Sequence, residues 1–154
     1  MRVRNLNMKS ICIQNIMLLN SGDDRPYQCE MLIQDGVVTA IGSRSLKKDA
    51  SMTLDMNGCF ASPAFIDLHV HLRDPGFTQK EDIITGTRAA AAGGFGSIFC
   101  MPNTSPVTDN PETLRYILRK AEATAICRVF PIAAITVGQA GKQLCDIQLL
   151  AENG

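Results

Sequence analysis

The 154-residue chain contains only two histidines, and they stand two positions apart in the run Asp67-Leu68-His69-Val70-His71-Leu72-Arg73-Asp74-Pro75-Gly76. Neutral imidazole is a ready ligand for zinc and other divalent ions. Side chains alternate across an extended strand, so His69 and His71 project from one face, about 7 Å apart along the strand. Asp67 shares that parity, and Arg73 carries it into the loop that follows. Two imidazoles on one rigid strand bind an ion with little ordering cost and leave positions open for further ligands and water. A bare His-x-His pair on a solvent-facing strand would mean little. Here the flanking residues are apolar and an Arg-Asp-Pro-Gly turn closes the strand. Asp74, one residue out of register, reads as a turn former. Asp67 reads as orienting a ligand or the strand, not as binding metal.

The elements that must hold these residues fall into two textures. Residues 9–61 give short β-type runs, SICIQNIMLL, QCEMLIQ, VVTAIG and MTLDM, separated by turn formers such as SGDD and Asp35-Gly36, the latter a hairpin signal. They predict a small antiparallel sheet of four or five strands. From residue 62 the rhythm becomes strand, loop, helix. AFIDLHVHL (64–72) predicts a buried strand, and Thr78 with Glu81 predicts a capping box for a helix running to Ala92, ended by Gly93-Gly94. GSIFCM (96–101) predicts a second strand. Asn110 and Pro111 open a second helix whose apolar stripe is Leu114, Ile117, Leu118 and Ala121. RVFPIAAIT and a helix over about residues 142–152 complete a third unit.

Three successive βα units imply parallel strands, as in an open doubly wound sheet or a closed (β/α)8 barrel. No GxGxxG or GxxxxGK[ST] phosphate loop occurs, which weighs against the nucleotide-binding open sheet. The fold class is therefore α/β, the N-terminal part of a TIM-like barrel preceded by a small β-sheet domain, with the boundary between residues 1–61 and 62–154.

Composition excludes several other roles. Fifteen acidic and fifteen basic side chains cancel, giving no charge excess suited to nucleic acid or an anionic membrane. Six cysteines without a CxxC pair read as buried thiols of a reducing, cytoplasmic protein. The basic N-terminus lacks a continuous apolar run and a cleavage site, so it is not expected to be a signal peptide. The uncharged stretch 89–108 is too interrupted by Gly93, Gly94, Pro102 and Pro106 to span a membrane as a helix.

On these residues the chain resembles the dihydroorotases of the amidohydrolase superfamily. HVHLRDPG (69–76), KED (80–82), TRAAAAGGF (87–95) and MPNT (101–104) are similar to that family's motifs in order and spacing, and the preceding β region is similar to half of its composite β domain. Ala64 departs from the pattern, which usually has glycine there. The resemblance implies reversible cyclisation of N-carbamoyl-aspartate to dihydroorotate in pyrimidine synthesis, with two Zn2+ ions per complete site. By carry-over, His69 and His71 are ligands of the more buried zinc, and Arg73 and Asn103 hold the substrate carboxylate. A guanidinium suits that task because it binds a carboxylate in bidentate fashion. Arg73 paired with MPNT also sets the chain apart from hydantoinase-like and allantoinase-like relatives.

The resemblance further implies that the bridging carboxylate (Asp or carbamylated Lys), two more histidines and the Asp general base lie beyond the equivalent of Gly154. The chain is thus expected to be an N-terminal fragment without useful turnover alone. The alternatives are a non-catalytic, dihydroorotase-like partner of aspartate transcarbamoylase, or another cyclic amidase such as allantoinase. Intact His69, His71, Arg73 and Asn103 favour the enzyme. Open parallel strand edges predict that the isolated chain self-associates or is partly disordered, and is rescued by co-expression of the missing portion. Size-exclusion chromatography with light scattering checks this, and a monomer with a sharp thermal transition would contradict it.

Overall fold

A computed structural model describes residues 10–20, 22–43 and 45–154, and the chain divides into two compact units, Met1–Pro63 and Ala64–Gly154. The basic N-terminal stretch (1–9) and Ser21 of the SGDD turn lie outside the described residues.

In the first unit, β1 (Ile11–Leu18) is the central strand. It pairs antiparallel with β2 (Tyr27–Gln34), which pairs antiparallel with β3 (Val37–Gly42). Asp35 and Gly36 both take positive φ, 50° and 77°, the left-handed pair that a tight hairpin requires. β4 (Met52–Asp55) and β5 (Phe60–Ala61) then join β1 in parallel. The sheet is therefore mixed, not antiparallel. The hairpin turn serves only β2 and β3, whereas the segment from Gly42 to Met52, with its 3-10 turn at Lys47–Asp49, is long enough to cross over before pairing. Ile16, Leu18 and Cys29 form the apolar cluster of this unit.

The second unit is built from β6 (Phe65–Val70), α1 (Ile83–Ala92), β7 (Phe95–Cys100), α2 (Pro111–Thr124), β8 (Arg128–Pro131) and α3 (Ile147–Ala151), and its parallel sheet has the order β6-β7-β8. Ile98 and Cys100 of β7 pack with Ile83 of α1, Ile117 of α2 and Leu72, all nearly solvent-free. On the other side of the sheet Phe99 and Phe130 stack at 4.9 Å between centroids. Helices thus cover one face only, in sequential strand order. That is the arrangement of a barrel wall, not of a doubly wound sheet.

Local signals explain most boundaries. α2 begins as expected, with Asn110 Oδ1 accepting from the Thr113 N–H at 2.9 Å and Pro111 in the first turn. α1 begins later than Thr78. Residues 78–80 turn back through Lys80 N–H donating to Phe77 O, and the reciprocal box is formed by Asp82 and Thr85 instead. Glu81 turns its carboxylate to the Thr85 hydroxyl and not to a Thr78 cap. β8 ends early because Pro131 has no N–H, and Ile132 N–H then donates to Cys100 O. α3 is shorter than expected, since residues 136–146 form an irregular excursion with positive φ at Gly138, Gln139 and Gly141, and Asp146 caps the helix. Ala64, in place of the family glycine, finds room because Gly96 opposite it has none to spare for a Cβ: one built there would lie 2.7 Å from the Ala64 methyl.

Cys12, Cys29, Cys100 and Cys145 are buried free thiols, and burial raises the Cys100 pKa to about 11. Cys59 is exposed, contrary to the expectation for all six, because it follows the Asn57-Gly58 turn at the edge of its sheet. No helix among the described residues is long and apolar enough to cross a membrane.

The helix-covered face is the main source of cohesion in the second unit. Ile117→Ala, at a residue 1 % exposed, is expected to cost about 3 kcal/mol. Ile126→Ala, at a residue 61 % exposed, is expected to stay within about 0.5 kcal/mol of the parent. Urea unfolding followed by circular dichroism at one fixed protein concentration compares the two. Equal losses would contradict this core assignment.

Candidate metal and carboxylate site

The site forms where the loop after β6 meets the loop after β7. Met101 N–H donates to Val70 O at 2.9 Å, continuing the β6–β7 ladder past the strand ends, and Ser105 N–H donates to Pro75 O at 3.0 Å. Between these tethers Gly76 (φ +97°) passes so close to Ser105 that a Cβ on Gly76 would lie 2.2 Å from the Ser105 carbonyl oxygen. Only glycine permits this approach and this backbone conformation. The MPNT loop is braced from within: the Thr104 hydroxyl, buried, contacts the Thr108 hydroxyl at 3.0 Å and donates to Pro106 O at 2.6 Å.

These contacts bring the two motifs together at the level of single atoms. His71 Nδ1 lies 2.8 Å from Asn103 Oδ1, across 32 residues of chain. A carbonyl oxygen can only accept, so Nδ1 is the donor, and in the neutral imidazole this tautomer leaves the lone pair on Nε2. The His69 and His71 rings are 5.2 Å apart between centroids and tilted by 69°. His69 is exposed and His71 half-buried.

Asp67 does not share their face. The β6–β7 register slips between Asp67 and Val70, so Asp67 stands opposite Ile98 and Val70 opposite Cys100. Both partners belong to the helix-covered side, and Asp67 lines a cavity of about 240 Å³ against Gly86, Ala89 and Ala90 of α1, to which His71 also contributes. The bulge breaks the simple alternation on which the parity expectation rested. It also frees the His69 N–H, and Asp67 Oδ1 accepts it at 3.0 Å.

Arg73 sits in the left-handed region (φ +59°) immediately after the strand. It is half-buried, and among the described residues its guanidinium makes no hydrogen bond or ion pair. Asp74 is more than a turn former. It is 1 % exposed, pairs with Lys120 Nζ at 2.6 Å and accepts the Tyr116 hydroxyl at 3.0 Å. Tyr116 and Lys120 were invisible to motif reading. Their only signal is a spacing of four residues along α2, next to the apolar stripe. Among the described residues no group of three or more His, Cys, Asp or Glu side chains converges. The chain therefore brings His69, His71 and Asn103 together and places Arg73 on the adjoining loop.

The dihydro-orotase-like family model matches residues 58–154. A dihydroorotase of Syntrophotalea carbinolica is 44 % identical over 144 residues, covering 94 % of this chain and 34 % of the relative. One of Aquifex aeolicus is 40 % identical over 147 residues, covering 96 % and 35 %. The chain thus spans about a third of the length of the curated relatives it matches. Among solved structures, an L-hydantoinase (dihydropyrimidinase) of Arthrobacter aurescens superposes with a TM-score of 0.72 at 26 % identity, over 84 % of this chain and 28 % of that one. A dihydropyrimidinase of Brevibacillus agri gives 0.68 at 30 % identity, over 82 % and 27 %. Motifs, barrel-wall topology and these relatives agree, and the chain belongs to the dihydroorotase-like family of cyclic-amide hydrolases.

Proposed function

We propose that this chain provides the first metal ligands and the carboxylate clamp of a zinc-dependent dihydroorotase, which interconverts dihydroorotate and N-carbamoyl-aspartate in pyrimidine synthesis. The observation that carries the reading is the 2.8 Å contact of His71 Nδ1 with Asn103 Oδ1, beside the neighbouring His69 ring. An imidazole whose Nδ1–H is held by an acceptor presents Nε2 in a fixed orientation and with raised basicity, as metal-ligating histidines do. The donor set fits zinc in type, two imidazoles, and in number supplies two ligands. When bound, the metal supplies Lewis-acid polarisation of the scissile ring carbonyl.

The chain's own residues account for substrate selection. Both proposed substrates carry a carboxylate off the reacting amide. Arg73 offers a half-buried fork of donors with no partner among the described residues, and Asn103, with its carbonyl oxygen committed to His71, has its NH2 without an acceptor among them and able to donate to the same anion. One amide group then ties ligand orientation to substrate orientation. An uncharged ring, as a hydantoinase would take, gives Arg73 nothing to bind.

Two measurements check this. Zinc titration of the chain by calorimetry should show weak binding that is lost in His69→Ala/His71→Ala and weakened roughly tenfold or more in Asn103→Ala. Undiminished binding in the double variant would contradict the ligand assignment. Fusing the full chain to the C-terminal two-thirds of the Syntrophotalea carbinolica relative should give dihydroorotase activity. In that fusion Arg73→Lys should lose about 2–3 kcal/mol of transition-state stabilisation, because a point charge replaces a bidentate fork. Kinetics equal to the parent, or preference for an uncharged ring such as hydantoin, would refute the carboxylate clamp.

A further inference from the structure

The loop after β6 carries a buried charge that ligand and substrate binding leave unused. Asp74 Oδ2 pairs with Lys120 Nζ at 2.6 Å and accepts the Ile83 N–H at 3.4 Å, while Oδ1 accepts the Tyr116 hydroxyl at 3.0 Å. Lys120 Nζ also reaches the Tyr116 hydroxyl at 3.3 Å. One carboxylate therefore joins three elements: the loop, the first turn of α1 and the middle of α2. A buried carboxylate is tolerated only when paired and hydrogen-bonded, so the loop has one low-energy seat on the helices. The hydrogen bond to Asp74 raises the Lys120 pKa from its ordinary 10.5, against the opposing effect of burial. The stability linked to the Lys120 shift is present below its ordinary pKa and is lost as pH rises through the higher folded value.

The residue peptide-bonded to this anchor is Arg73, held at φ +59° with its carbonyl accepting the Phe77 N–H at 2.8 Å. A non-glycine residue stays in the left-handed region only where its surroundings over-determine it. On one side of Arg73 runs the β6 strand. On the other, among the described residues, Asp74 is the fully buried polar side chain that ties this loop to the helices. We infer that Asp74, acting through Lys120 and Tyr116, is a positioning residue that fixes the Arg73 backbone so that its guanidinium meets the substrate carboxylate. The inference rests on the reading of Arg73 as the carboxylate clamp. A pair that merely stapled α1 to α2 would have no reason to sit beside the one arginine held at positive φ among the described residues.

The test uses the full chain fused to the C-terminal part of the Syntrophotalea carbinolica relative, with N-carbamoyl-aspartate as substrate. Lys120→Met should raise KM roughly tenfold, a change of ~1.4 kcal/mol, while kcat stays within about twofold and zinc content is unchanged. Lys120→Arg should restore most of the loss, and Tyr116→Phe should raise KM in the same direction by less. Hydrogen exchange over residues 73–82 should quicken in Lys120→Met without a change over β7 and β8. An unaltered KM in folded Lys120→Met, or a joint fall of kcat and zinc content, would overturn the positioning role. If Lys120→Met does not fold, Tyr116→Phe decides, and parent-like kinetics there overturn it. Arg73→Lys in the same fusion separates the two ideas. Parent-like behaviour of Arg73→Lys removes the clamp itself, whereas impairment of Arg73→Lys alone removes only the role of Asp74.

Discussion

Everything proposed for this chain depends on how closely two loops pass each other. At Gly76 the backbone approaches Ser105 to a distance no side chain could occupy, and the Ser105 N–H to Pro75 O hydrogen bond locks the crossing. Without that crossing, Asn103 would belong to a different strand end from His71, and neither motif would complete the other. The 2.8 Å His71–Asn103 contact is the direct consequence. The proposed ligand imidazole, its hydrogen-bond partner and the proposed donor for substrate thereby come from two short segments. Preorganisation of this kind is what places a metal within tenths of an ångström of its working position.

Much of this was legible in the residues themselves. The strands at β6 and β7, the Asn110-Pro111 start of α2 and its stripe at Leu114 and Ile117 all correspond to what the structure shows, but β6 is largely exposed and not the buried strand expected, because helices cover only one face of its sheet. They are legible because each follows from a local rule: periodicity, a cap, a fixed φ. The His-x-His pair was legible because it needs only local alternation over two residues. What escaped was whatever depends on partners distant in sequence. The slip in the β6–β7 ladder between Asp67 and Val70 moves Asp67 to the helix side, and no feature of β6 alone signals it. The parallel pairing of β4 and β5 with β1 likewise depends on a crossover whose path the turn residues do not dictate. α1 starts at Asp82 and not at Thr78 because two caps competed and the one with the reciprocal Thr85 partner won.

Asp74 illustrates the same limit in the site itself. By composition it is an ordinary loop aspartate between arginine and proline. Only the folded chain reveals Lys120 and Tyr116 against it, some forty residues on. Charge that is buried must be answered by a specific partner, so the cost of burying it becomes a constraint on geometry. Here that constraint lies next to Arg73, the half-buried cation with no partner of its own among the described residues. The family relationship places the chain among cyclic-amide hydrolases. The buried pair and the left-handed arginine say how this chain holds its part of the site in place.

The central claim is that His69 and His71 are a zinc site and not an incidental pair of rings. X-ray absorption at the zinc edge of the zinc-loaded chain tests it most directly, because the chain also contains six thiols that could compete for the ion. The expected spectrum shows nitrogen neighbours at about 2.0–2.1 Å with the outer-shell scattering of two imidazoles and no sulfur. A dominant sulfur shell at about 2.3 Å would place the ion on cysteine and contradict the assignment.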